Sequence, residues 1–104
     1  MEPEKENGNV EYKLKLLDKT TERIEGLASQ MRYRCDEGGS ECIYNLGVSD
    51  DGTMVGISDK DFEETIMTLN SAADTNNYTT TLLTTTPTED GRNVYEVLVR
   101  ENND

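Results

Sequence analysis

Cys35 and Cys42, seven positions apart, are the chain's two cysteines, and the sequence contains no histidine. The pair could close a small loop or remain as two thiols. Without a second pair or an imidazole it cannot form a four-thiolate or His-containing zinc site, and no Ser-His or Cys-His nucleophile can be assembled. The burial-prone positions of both cysteines favour two reduced, packed thiols over a redox site. Asp50 and Asp51, followed by Asp59, Asp61, Glu63 and Glu64, lack the alternating oxygen ligands and closing glutamate of a calcium loop, so turn and cap duties explain them better. Glycines cluster at 38, 39, 47, 52 and 56, but a phosphate-binding loop needs a glycine-rich strand-to-helix turn ending in Gly-Lys-Ser/Thr. Asp36 and Gly39 meet only a bare Asp-x-x-Gly spacing, after a helix and with no loop lysine. Tyr12, Tyr33, Tyr44, Tyr78 and Tyr95 read as sheet and core aromatics. No catalytic, cofactor-binding or metal-ligating residue is assigned.

Composition narrows the rest. The chain has 104 residues with 22 acidic against 10 basic side chains, a formal charge of -12. That length suits one domain with a modest core. The charge repels a phosphate backbone, so tight nucleic-acid or anionic-membrane binding by this chain alone is not expected. Nothing in residues 1–6 resembles the apolar core of a signal peptide, and no apolar stretch approaches about 20 residues. A cytoplasmic protein with reduced thiols is the expectation.

The elements that must position these residues follow from periodicity. Residues 1–9 are polar and read as a disordered lead-in, ahead of a single domain over 10–100 and a polar tail at 101–104. Val10, Tyr12, Leu14 and Leu16 alternate with Glu11, Lys13 and Lys15, the pattern of a strand with one buried face. Asp18 offers an N-cap, and Ile24, Leu27, Ala28, Met31 and Cys35 form one helical stripe ended by Gly38 and Gly39. Residues 41–48 and 53–57 flank an Asp-Gly turn and read as an antiparallel hairpin. Ser58 or Asp59 caps a second helix whose stripe is Phe62, Ile66, Leu69 and Ala73. The threonine-rich stretch 78–86 reads as a strand, followed by a loop and the strand 94–100. The expected fold is α+β: a single two-layer sandwich in the order β-α-β-β-α-β-β, of ferredoxin-like or split β-α-β type.

Several blocks resemble the N-terminal region of the GTP-binding protein 1 and 2 family, translational GTPases related to elongation factor Tu. They are residues 8–16 (GNVEYKLKL), Gln30 and Met31 with Arg32 and Arg34, Glu37, Gly38, Glu41, Ile43, Tyr44, Gly47, Val48, the 50–52 DDG turn and 96–100 (EVLVR). The resemblance implies a noncatalytic accessory domain. Its parent would be a GTPase using GTP and magnesium, linked to translation elongation, ribosome rescue or RNA surveillance. Its partners would be another protein or an adjacent GTPase domain, with ribosome or transfer RNA contact made through the parent. None of the family's nucleotide motifs falls within this chain. Gly38 and Gly39 followed by residues 43–57 (IYNLGVSDDGTMVGI) are also similar to the hairpin of Schlafen-type AlbA-like domains, which are associated with nucleic-acid or ATP binding and imply a nucleic-acid-binding module. A free-standing acidic protein-interaction domain is the third reading.

Overall fold

The computed structural model describes residues 1–102. Its elements are β1 (Val10–Lys13), α1 (Thr21–Glu37), β2 (Glu41–Leu46), α2 (Asp59–Thr75), β3 (Tyr78–Pro87) and β4 (Asn93–Glu101). Of the expected polar tail, Glu101 belongs to β4, while positions 103 and 104 lie outside the described residues.

Both helices start on a hydroxyl cap. Thr20 accepts from the Arg23 N–H at 3.4 Å and Ser58 from the Asp61 N–H at 3.2 Å, each satisfying an amide that has no partner inside its helix. Asp18 is not the cap of α1. Its carboxylate instead accepts from the Thr20 N–H at 2.9 Å and so holds the capping residue in place. Gly38 closes α1, its N–H reaching the Cys35 carbonyl at 3.1 Å. Asn77, at φ 57°, turns the chain from α2 into β3, a conformation asparagine tolerates better than most residues.

The four strands form one sheet in the order β1-β2-β4-β3. β1 and β2 are parallel and joined by α1, whereas β4 is antiparallel to both β2 and β3. β1 and β2 are direct neighbours, so this is a plain β-α-β unit, whereas a split unit has another strand between them. Cys42, Tyr44 and Leu46 of β2 lie directly opposite Val99, Val97 and Tyr95 of β4, and together they face Leu27, Ala28, Met31 and Cys35 of α1 and Leu69, Ala72 and Ala73 of α2. Phe62 stacks on Tyr95 with ring centroids 3.8 Å apart. Full burial of each such large side chain contributes about 1.5–3 kcal/mol, which makes this helix-covered face the main source of stability. A smaller cluster of Tyr12, Val48 and Val94 sits apart from it.

Residues 53–57 do not form the expected strand. The segment touches its neighbours through two isolated bridges, Val48 with Met54 and Ile57 with Asn93. The reason lies at Gly47 and Gly56, both at φ +87°, which break the extended backbone on either side of the turn. The Gly56 N–H bonds the Gly47 carbonyl at 2.8 Å, so the glycines pinch the base of a loop where a ladder would otherwise run. Seven expected elements therefore become six.

A Cβ at Gly47 would lie 3.1 Å from the Asn93 carbonyl oxygen and 3.2 Å from the Gly56 backbone, whereas one at Gly39, also at positive φ, would meet open space. Gly39→Ala should cost about 1 kcal/mol of conformational strain, and Gly47→Ala about 2–3 kcal/mol because steric crowding adds to it. Urea unfolding of the two variants checks the difference, and equal costs would refute the pinch.

Candidate functional site

β1 does not bury one alternating face, as the sequence suggested. Glu11 and Tyr12, adjacent in sequence and on opposite faces, are both buried, while Val10 and Leu14 are more than a third exposed. The cause is Arg34. The stripe Leu27, Met31, Arg34 of α1, spaced four and three, brings a guanidinium into the interior, and it is 4% exposed. Its Nε donates to Glu11 Oε2 at 2.6 Å, Nη1 to the Gly8 carbonyl at 2.9 Å and Nη2 to the Lys5 carbonyl at 2.8 Å. Lys13 Nζ lies 3.8 Å from the other Glu11 oxygen. The pair is thus hydrogen-bonded on several sides, as a buried ion pair must be to offset its desolvation.

The Arg34 contacts at Lys5 and Gly8, together with a second set at Glu2 and Glu4, hold residues 1–9, which form no helix or strand, against the outer side of β1. The Tyr12 N–H donates to the Glu4 carboxylate, the Tyr12 hydroxyl to the Glu2 carbonyl at 2.8 Å, and the Glu4 N–H to the Asp50 carbonyl at 2.7 Å. Partial burial, together with the Glu11 and Asp50 carboxylates, pushes the Glu4 carboxyl above its ordinary value against the pull of the Tyr12 amide. Gly52 is buried beneath this segment, where a Cβ would collide with the Met1 and Glu2 carbonyls.

Cys35 and Cys42 meet in the core, with Sγ atoms 3.2 Å apart and both side chains buried. Cys35 also points at the Val99 carbonyl and Cys42 at the Met31 carbonyl. The contact with Cys35, then burial, pushes the Cys42 thiol well above its ordinary range, which disfavours the reactive thiolate. Asp50 and Asp51 lie in the loop, where Asp51 accepts from the Ser49 hydroxyl at 2.5 Å and the Thr53 N–H at 2.9 Å. These are turn contacts.

An open groove between β1 and α1 is lined by Lys13, Lys15 and Arg23 together with Asp18 and Glu22. Lys13 pairs with Glu11 at 3.8 Å, Lys15 with Asp61 at 3.3 Å and Arg23 with Asp18 at 3.7 Å. Each cation is already matched by a carboxylate, so the groove offers little net attraction to a phosphate. Among the described residues, no helix is long and apolar enough to cross a membrane.

What the fold presents is a packed β-α-β core with an acidic surface and a clasped N-terminal segment. Over part of its length the chain is homologous to the GTP-binding proteins 1 and 2. It is 42% identical to GTP-binding protein 2 of Mus musculus and of Homo sapiens over 72 residues, which is 69% of this chain and 12% of either relative. GTP-binding protein 1 of Xenopus laevis is 36% identical over 66 residues, 64% of this chain and 10% of the relative. The chain therefore spans about an eighth of the length of the GTP-binding protein 2 relatives it matches. No family model matches the chain. No solved structure matches it.

Sequence reasoning missed the Glu11–Arg34 pair because Glu11 sits at a formally outward position of an alternating strand. The signal that could have found it is Arg34 on an apolar stripe, since a charge there demands a buried partner.

Removing one partner strands a buried charge, so Arg34→Met or Glu11→Leu alone should cost about 3–5 kcal/mol. The double variant should recover most of that loss. Urea unfolding of the four-member cycle measures the coupling, and additive losses would contradict a buried pair. Separately, the Ser49 and Thr53 hydrogen bonds lower the Asp51 pKa from an ordinary 3.8 to about 2. Because the folded value is depressed, the turn's stabilising contribution is fully present above the unfolded value and is lost as pH falls through the folded one. A carbon-detected NMR titration should place the Asp51 midpoint near 2, and a midpoint near 3.8 would show that the turn contacts are not formed.

Proposed function

We propose that this chain is a noncatalytic accessory module of a GTP-binding protein of the GTP-binding protein 1 and 2 kind, working by contact with another protein or with an adjacent GTPase domain. The observation that carries the reading is the 42% identity over 72 residues to proteins named GTP-binding protein 2, within only 12% of their length. The stretch is thus one piece of a far larger relative. The chain contains no Gly-Lys-Ser/Thr phosphate loop, so GTP and magnesium belong to another part of such a parent.

The charge of -12 supports the same division of labour. A module so acidic suits protein contacts, and ribosome or transfer RNA association would rest on the remainder of the parent. A cytoplasmic setting agrees with the free, buried thiols. The AlbA-like reading is weaker, because residues 43–57, which carried it, include a glycine-pinched loop where a two-stranded hairpin was expected.

The test is calorimetric titration of the chain with GTP and GDP in the presence of magnesium. The expected outcome is no saturable heat up to about 1 mM nucleotide. Saturable micromolar binding would overturn the accessory role.

A further inference from the structure

The sheet has two edges, and the fold treats them differently. The outer side of β1 is covered by residues 1–9, with the Glu4 carboxylate on the Tyr12 N–H and Arg34 holding the Lys5 and Gly8 carbonyls. β3 is the opposite edge, paired on one side with β4 and, among the described residues, with no strand on the other. It is ten residues long, carries no charged side chain, and is exposed along most of its length, with Leu82 and Leu83 48% and 46% exposed. Soluble proteins usually guard such an edge with charge, proline or a bulge. Here Pro87 stands at the far end and a register shift between Leu82 and Thr84 interrupts the middle, which leaves 78–82 as an uninterrupted unpaired edge.

The flank of that stretch is acidic. Thr80 Oγ1 donates to Asn70 Oδ1 at 2.6 Å, fixing which side of α2 overhangs β3. Glu63, Met67, Asn70 and Asp74 share that side at helical spacing, and all four are exposed. Met67 gives an apolar patch between carboxylates at either end.

We infer that the 78–82 edge of β3 is a docking site for an extended segment of a protein partner, added as a fifth strand, with threonine or β-branched residues along the pairing stretch and basic residues at its ends. The unpaired backbone dictates a strand as the occupant, because only another backbone satisfies its amides and carbonyls in register. The Glu63 and Asp74 carboxylates dictate its charge. A second copy of this chain fits worse, since pairing two β3 edges would bring two acidic α2 sides and two charges of -12 together. The inference rests on the reading of this chain as an interaction module and names the surface it uses.

The test is an NMR titration of the isotope-labelled full chain with a short peptide alternating threonine and valine between terminal lysines. A glutamate-ended twin and a lysine-ended version N-methylated at alternate backbone amides are the comparisons. Amide shifts should centre on 79–82, with the lysine-ended peptide binding about tenfold tighter than the glutamate-ended one at low salt. The N-methylated peptide should not bind. Glu63→Lys with Asp74→Lys, both at exposed helix positions, should reverse the charge preference while leaving the rest of the spectrum in place. Three results would overturn the inference: no shifts at millimolar peptide, shifts centred elsewhere, or equal binding of the N-methylated peptide. Concentration-dependent broadening of 79–82 without peptide would also overturn it, by assigning the edge to a second copy. A GTP titration that shows binding would sink the accessory role and leave these peptide results standing.

Discussion

The constraint on which this structure turns is a guanidinium in the wrong solvent. Arg34 is carried inward by α1 and cannot be left bare there, because desolvating an unpaired charge costs several kcal/mol. The chain surrounds it with Glu11 from β1 and with two main-chain carbonyls from the segment before β1. One side chain thereby joins the first helix, the first strand and the N-terminal segment. It explains why a strand of four residues is ordered at the edge of the sheet and why a stretch without helix or strand lies fixed beside it.

The position of that charge sets the asymmetry of the sheet. Residues gathered around Arg34 close the β1 edge, so polar groups there are satisfied by Glu4 and the lead-in carbonyls. At the other side, β3 relies on β4 and on α2; its ten residues are uncharged and most are exposed, while Tyr78 packs against the core and Thr80 bonds Asn70 of α2. The core between the helices and β2 and β4 is conventional packing. Its two cysteines belong to that packing, since both thiols are buried and point at carbonyls. The features that distinguish this domain lie at the sheet edges and in the charge that lines them.

Much of the frame could be read from residue spacing. The stripes of both helices, a cap at Ser58 or Asp59, the stop at Gly38 and the final β3–β4 hairpin all follow local rules, and the structure contains each of them, with Ser58 as the cap. The departures arise where a local signal met a nonlocal demand. Glu11 and Tyr12 alternate as strand residues should, but the helix lays a cation over one face and Val48 and Val94 pack against the other. Residues 53–57 have an apolar pattern and an Asp-Gly turn, yet positive φ at Gly47 and Gly56 diverts the backbone before a ladder can form. Asp18 resembles a cap, and the competing hydroxyl of Thr20 lies two residues nearer the helix. The unguarded β3 edge was visible as a run of threonines, but composition alone could not say which strand would stand at the edge.

The most direct test of this account separates the two duties of Arg34, packing and clasping. Replacing Glu11 by leucine and Arg34 by methionine together removes the buried charges while keeping apolar volume. Backbone 15N relaxation of that double variant should show rigid amides in β2, β4 and both helices, with residues 5–8 turning mobile on the nanosecond scale once the Lys5 and Gly8 carbonyls lose the guanidinium. If residues 5–8 stay as rigid as in the parent chain, Arg34 is not what holds that stretch to the sheet, and the central claim fails.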